Sequence, residues 1–391
     1  MGVYMKTTIS ELGYAIVLGC AHFNALGVIR SLGEAGIPSV FICTSAWSNA
    51  SYSKYTLRAY QASDAPSVRD AVLDAVKRFG GKPSVFPTAD DQLPMLEEIR
   101  AEICDQVVLP QLGAPMRHVL RKDVMCETAR RAGFRVPQTK LLDDTSAASI
   151  RAAASEIGFP CILKPNSGTE GAKADIRVLH SEADLSDALT AFSHYRSVLM
   201  QEFVDSANSM MVEYCGCKTP GRKVCVFGEL RKTREFPTNR GSTSFAKIVP
   251  QLTYLDPDVL DAFLEEVGFS GVFDLELKVT NGAAYFLEIN YRNGAPSYGF
   301  TKAGFNVPAT WHLLENGREA APVCIRETLV HCEGIDLSNV FAHNISMAQW
   351  LRDFRAADAH MVVNRRDMRP LFSSVRLIKP FIEAKLYSRK G

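Results

Sequence analysis

The chain has 391 residues, 47% hydrophobic and 22% charged, a composition that suits two or three globular subdomains around a shared cleft better than one ordinary core. Its 44 Lys+Arg balance 43 Asp+Glu, so no overall charge draws it to polyanions, nucleic acid is not the expected partner, and a small ligand is. The apolar run Tyr14 to Leu18 stops at Gly19, far short of the roughly 20 residues that span a bilayer; with no secretory pattern either, the expected location is the cytoplasm.

From Tyr14 the chain reads as a buried strand (YAIVLG), a helical run Ala25 to Ala35, a stop at Gly36 and a second strand (IPSVFIC). This is the start of a βαβ pattern. A helix from Ser67 to Phe79, the strand SVFPT and the acidic pair Asp90 and Asp91 carry the alternation to about residue 115, and a doubly wound parallel sheet follows from it. The spacing from Gly19 to Gly27 lacks the G-x-G-x-x-G fingerprint, and no acidic residue ends the second strand. A nicotinamide cofactor is therefore disfavoured.

A helix from Asp123 to Ala132 leads through Gly133 and Pro137 into a helix Ala147 to Ile157, the strand CILKP, a glycine-containing loop and the strand ADIRVLH. Beyond Ser197 come strands VLMQEF, MMVEYCG and VCVFGEL, a helix Asp258 to Val267, and a hairpin turning at Asn281-Gly282. The order is α/β first and α+β second. Ten cysteines are scattered without a CxxC pair; Cys215 and Cys217, two apart on a strand, read as buried thiols and not as zinc ligands. From Ala320 to Gly391 amphipathic helical stretches are broken at Pro370 and Pro380, and the basic tail Arg376 to Lys390 reads as a solvated helix face, with contact to an anionic membrane or a lipid-linked substrate as the alternative.

Three segments carry chemistry. In GFPCILKPNSGTEGAKADIRVL, Lys164 ends an apolar strand beside Gly168 and Gly171; glycines let backbone N–H groups approach phosphate oxygens and the ammonium neutralises them. Glu276 in DLELK and Glu288 in FLEIN lie on the two strands of the predicted hairpin, which brings them side by side, and Asn290 is two residues beyond on the same face. Two carboxylates completed by water and phosphate oxygen suit Mg2+. The run GELRKTREFPTNRGSTSFAK gathers Arg231, Lys232, Arg234, Arg240 and Lys247 in a non-periodic loop, where guanidiniums suit carboxylate or phosphoryl groups.

In this combination and order the segments resemble the ATP-grasp superfamily from about residue 12 to 315. The resemblance implies a pre-ATP-grasp α/β domain (1–118), a small lobe with the phosphate loop (119–198), a large lobe with the metal site (199–318) and a C-terminal helical extension (319–391). It implies ATP and Mg2+, with Mn2+ as a substitute. RKDVMCETARRAGFRVPQT is similar to the segment of the first phosphate lysine, Lys122, and LKPNSGTEG to that of the second, Lys164, with its mobile loop. MQEFV is similar to the interlobe strand, which assigns adenine recognition to Gln201, Glu202, Phe203 and Val204, and the ribose contact passes to Asp205 because Asn208 and Ser209 stand where an acidic residue is usual. Glu276, Glu288 and Asn290 match the metal ligands, and Arg292 in EINYRNG matches the catalytic arginine, with Arg234 or Lys247 assisting. The REFPTNRGS loop and the NYRNGAPSYGFTKAGFNVPATWH tail look most like bacterial D-aspartate ligases. The implied activity joins a small-molecule carboxylate to an amine through an acyl phosphate, releasing ADP and phosphate; phosphorylation of bicarbonate or carbamate, and a non-catalytic nucleotide-binding regulator, are the alternatives. A homo-oligomer is left open.

Overall fold

A computed structural model describes residues 11–166, 176–205, 209–238 and 241–373. The first sheet is parallel throughout: Ala15–Gly19 (β1), Ser39–Cys43 (β2), Thr56–Gln61 (β3) and Ser84–Phe86 (β4) lie in the order β3-β2-β1-β4. β1, β2 and β4 are wholly buried, as strands covered on both faces must be. The edge strand β3 is not among the sequence expectations. Its residues are half-buried or exposed and include Arg58 and Tyr60, so it lacks the apolar run that marks its neighbours.

The second sheet is small and antiparallel: Thr139–Leu142 (β5), Cys161–Pro165 (β6), Arg177–Leu179 (β7) and Val198–Glu202 (β8), in the order β5-β8-β6-β7. Helices Ala147–Ile157 and Leu185–Phe192 bury Ile150, Ala154, Leu185 and Phe192 against it. The third sheet runs Ala283–Asn290 (β14), Gly271–Thr280 (β13), Met210–Lys218 (β9), Glu229–Phe236 (β11), Ser242–Val249 (β12), Thr328–His331 (β15) and Ala359–His360 (β16), with Cys225–Val226 (β10) paired to β9. The segment expected as a single strand VCVFGEL is divided between β10 and β11 at Phe227-Gly228, where Gly228 has φ 72°. The hairpin between β13 and β14 turns at Asn281 (φ 49°) and Gly282 (φ 77°), the two positive φ values that a tight hairpin requires.

The segment after residue 319 supplies helices Glu333–Phe341 and Met347–Ala356, and also β15 and β16 at the edge of the large sheet. Helices Ser297–Ala303 and Val307–Glu315 clamp the first domain onto this sheet. Trp311 packs edge-on against Phe86 at 5.0 Å, Tyr298 donates to Glu34 at 2.6 Å, and Arg30, with no exposed surface, pairs with Asp367 at 3.0 Å. One apolar core accordingly runs from β1 and β2 through these helices to β12 and β15. Among the described residues no helix is long and apolar enough to cross a membrane.

Candidate active site

The small sheet and the large sheet face each other across a cavity of about 520 Å3. On the small-lobe side, helix Lys122–Ala132 begins where Asn166 can hold it: the Lys122 amide donates to Asn166 O at 2.8 Å, the Asp123 amide to its Oδ1 at 3.1 Å, and Asn166 Nδ2 returns a bond to Asp123 at 2.9 Å. That clasp brings Lys122 beside the end of β6, which carries Lys164. Lys164 Nζ donates to Gln201 Oε1 at 2.9 Å, and Gln201 in turn donates to Thr139 Oγ1 at 2.8 Å. Burial, and then the charge of Lys122, lowers the pKa of Lys164 to about 8.

Lys122, Lys164, Gln201, Glu202, Phe203 and Val204 all line the cavity. Asp205 is paired with Lys278 of β13 at 3.1 Å, and Ser209 lines the cavity nearby. Gly168, Gly171, Asn208 and Arg240 lie outside the described residues.

On the large-lobe side, alternation along β13 turns Phe273, Leu275 and Leu277 into the core and Asp274 and Glu276 to the opposite face. Glu276 is directly opposite Glu288 on β14 and directly opposite Glu213 on β9, so three carboxylates stand in one row across three strands. Glu276 and Glu288 line the cavity. Among the described residues no group of three or more His, Cys, Asp or Glu side chains is arranged to hold a metal ion. Two adjacent carboxylates whose remaining partners must come from water and phosphate fit the habit of Mg2+. Asn290 Oδ1 instead accepts from Arg292 Nη2 at 3.1 Å.

The same face of the sheet carries residues that the motifs alone did not single out. Asp274 is buried, and its carboxyl is pushed well above the usual carboxylate range by burial, then by Glu213 and Glu276, against the pull of Arg292 at 4.0 Å. A side chain at Gly294 would collide with it, since a Cβ there would be 2.5 Å from the Asp274 carboxyl carbon. Glu213 accepts from Thr243 Oγ1 at 2.6 Å and faces Lys232 Nζ at 3.5 Å. Lys232 is almost wholly buried; burial opposes its charge, but Glu213, Glu276 and Glu235 outweigh that and hold its pKa above the ordinary value. A period-two spacing in FDLELK and in MMVEYCG was the signal that could have found Asp274 and Glu213.

The three expected catalytic cations take different places. The basic run is not an irregular loop, because Arg231, Lys232 and Arg234 lie on β11 and Lys247 on β12. Arg234 lines the cavity, but its guanidinium is fixed by two bonds of 2.7 Å to Asp336 and one of 2.7 Å to Asp353, over the ring of Phe245. Lys247 is paired across the strands with Arg231, on the face opposite Lys232, and binds Glu327 at 2.8 Å. It is not among the residues lining the cavity, a correction that follows from strand alternation. Arg292 reaches across to the first domain, where Nε donates to Asp90 at 2.9 Å. Burial opposes its charge, but Asp90 and Asp274 outweigh that and hold its pKa above the ordinary value.

No protein-family profile matches the chain. It is 23% identical over 240 residues, 57% of this chain and 56% of the relative, to formate-dependent phosphoribosylglycinamide formyltransferase of a Nitratiruptor species. It is 26% identical over 179 residues, 43% of this chain and 53% of the relative, to D-alanine–D-alanine ligase of Bacteroides fragilis. The chain thus spans little more than half the length of the curated relatives it matches. Among solved structures, N5-carboxyaminoimidazole synthetase from Staphylococcus aureus complexed with ADP aligns over 86% of this chain and 88% of its own at TM-score 0.65 and 16% identity. Biotin carboxylase from Campylobacter jejuni aligns over 81% and 75% at TM-score 0.62 and 18% identity. At such identities the structural likeness shows the fold alone, and that fold is the one of ATP-grasp enzymes.

Proposed function

We propose that the chain is an ATP- and Mg2+-dependent ligase that activates a carboxylate as an acyl phosphate and joins it to an amine, releasing ADP and phosphate. The observation that supports this most is the convergence of Lys122, Lys164, Glu276 and Glu288 on one cavity between the two lobes. Gln201 to Val204 form the adenine end, and Lys122 and Lys164 hold the phosphates, where prepositioned cations act strongly because water is scarce. Glu276 and Glu288 would hold Mg2+, which when bound supplies charge neutralisation at the phosphate oxygens. A carboxylate oxygen attacks the γ-phosphorus, ADP departs, and an amine then displaces phosphate from the acyl carbon.

Arg292, tied to Asp90, is assigned to hold the carboxylate side of the site. Lys232 replaces Lys247 as the second cation facing the reaction, since it lines the cavity and Lys247 does not. The finer reading, an amino-acid ligase of the D-aspartate ligase type, rests on REFPTNRGS and on the NYRNGAPSYGFTKAGFNVPATWH tail. The test is a paired screen of amino acids and short peptides for amine-dependent ADP release. Bicarbonate in place of the organic carboxylate separates the carboxylating alternative, and a protein that binds ATP but turns over with no pair is a regulator.

A further inference from the structure

The cavity continues past the metal carboxylates. Lys232 and Glu235 lie on β11, two strands from Glu276 in the order β14-β13-β9-β11, and Lys232 Nζ links the Glu213 carboxylate at 3.5 Å to that of Glu235 at 3.2 Å. There the wall changes character. It is made by Lys232 and Glu235 of β11, by Thr238 after it, and by Asn339 and Asn344 of the C-terminal segment. None of these is apolar, so this end suits a compact polar molecule and not a hydrocarbon chain.

The C-terminal segment builds this end. Asn339 Nδ2 donates to the Glu235 carbonyl at 3.3 Å and to Ser244 Oγ at 3.2 Å; Asn344 Nδ2 donates to Asn339 Oδ1 at 2.8 Å and approaches Thr238 Oγ1 at 3.4 Å. Arg234, next to Glu235 on β11 and pinned by Asp336 and Asp353, fixes this strand to the same C-terminal segment. Glu235 lines the cavity, and Lys232 at 3.2 Å is the ionic partner of its carboxylate among the described residues.

We infer that this end is the subsite for the amine substrate, a small polar primary amine that enters as its ammonium form, with Glu235 as the catalytic residue that binds it and takes its proton. The inference rests on the ligase reading above. The ammonium gives one proton to the Glu235 carboxylate. The nitrogen lone pair then forms the C–N bond at the acyl carbon, the C–O bond to phosphate breaks, and the second nitrogen proton leaves with inorganic phosphate. Asn344 and Thr238 orient the amine by neutral hydrogen bonds.

Hydroxylamine is the probe that separates the two halves, because it is neutral near pH 7.5 and needs no base to expose its lone pair. With the carboxylate found by the screen, Glu235→Gln is expected to lower kcat/KM for the best amino-acid amine by about 100-fold while hydroxamate formation stays within about twofold of the parent protein. Asn344→Ala, at an exposed position, is expected to raise KM for the amine about tenfold with kcat and the KM for ATP unchanged, and it guards against a folding defect in the first variant. Equal loss of both activities in Glu235→Gln together with an unaltered amine KM in Asn344→Ala overturns the assignment. So does a parent protein that forms hydroxamate yet accepts no small polar amine. A parent protein that forms no hydroxamate with any carboxylate overturns the ligase reading, and this subsite falls with it.

Discussion

On the small lobe Lys122 and Lys164 face the cavity, and among the described residues neither takes part in a salt bridge; on the large lobe Lys232, Arg234 and Arg292 are each held by carboxylates. The difference teaches how the cleft divides its work. An ammonium that is buried, bonded among the described residues to a neutral amide and repelled by a second ammonium has a lowered pKa and gains most when an anion arrives. The Arg234 guanidinium, held by Asp336 and Asp353, gains little from another anion and serves better to fix the wall that carries it. The large-lobe wall, with Glu213, Glu276 and Glu288 in one row, has the opposite need and draws a cation.

The largest effect expected from breaking this contrast is at the metal carboxylates. Glu288→Gln removes an ionic ligand with little change of volume and is expected to lower ADP release by about 100-fold or more, comparable with removing a charge-stabilising group from an active site. Its far-ultraviolet circular dichroism should match that of the parent; ADP release near the parental rate would remove Glu288 from the metal site.

Next comes the wall-fixing pair. Asp336 is fully buried and accepts from Arg234 and from His331 at 2.9 Å, so Asp336→Asn leaves the guanidinium with Asp353 alone and is expected to cost about 1.5–3 kcal/mol of stability, the range for hydrogen bonds to charged groups. Urea denaturation measures it. Calorimetric affinity for ATP in the folded variant should be unchanged, and a large loss of affinity with no loss of stability would reverse the roles assigned to the two walls.

Lys164→Ala is expected to weaken ATP binding by about 1.5–3 kcal/mol, the range for a hydrogen bond to a charged group, and to leave adenosine binding unaltered. Calorimetric titration of both ligands checks it, and equal losses would make Lys164 a structural lysine.

A smaller effect sharpens the same point through pH. The Lys164 ammonium has a pKa lowered to about 8, and ATP favours its charged form, so binding takes up a proton near that pH. Affinity is therefore highest below about 8 and weakens as pH rises through it. Titrations at pH 8 in two buffers of different ionisation heat should reveal proton uptake in the parent and less in Lys164→Ala, and equal uptake in both would contradict the assignment.

The parts of this architecture that the sequence made legible are those set by local rules. The Asn281-Gly282 turn demands positive φ at two residues and sets the β13–β14 register from Thr280 opposite Ala283 to Leu277 opposite Phe286, and a bulge between Leu277 and Glu276 then brings Glu276 opposite Glu288. Helix Ala147–Ile157 and strand Cys161–Pro165 end where expected because Gly158 and Asn166 flank them. What stayed hidden depends on non-local pairing. The alternation in MMVEYCG gives the face of Glu213, but Glu213 joins the row only because β9 lies between β13 and β11, a pairing that no local pattern announces. The charged run in β11 reads as a loop because its pairing partners, Lys247 and Ala246 among them, lie beyond a turn and its apolar residues are few. The docking of Asn339 and Asn344 onto Glu235 and Thr238 bridges about a hundred residues of chain and has no motif at all.

The measurement that tests the account most directly follows an oxygen atom. With the carboxylate identified by the screen and labelled with heavy oxygen, turnover in the presence of ATP, Mg2+ and the amine is expected to release ADP together with inorganic phosphate that carries one carboxylate oxygen, because the acyl phosphate breaks at its carbon–oxygen bond. Label recovered in AMP, accompanied by pyrophosphate, would mean adenylation and would contradict the central claim.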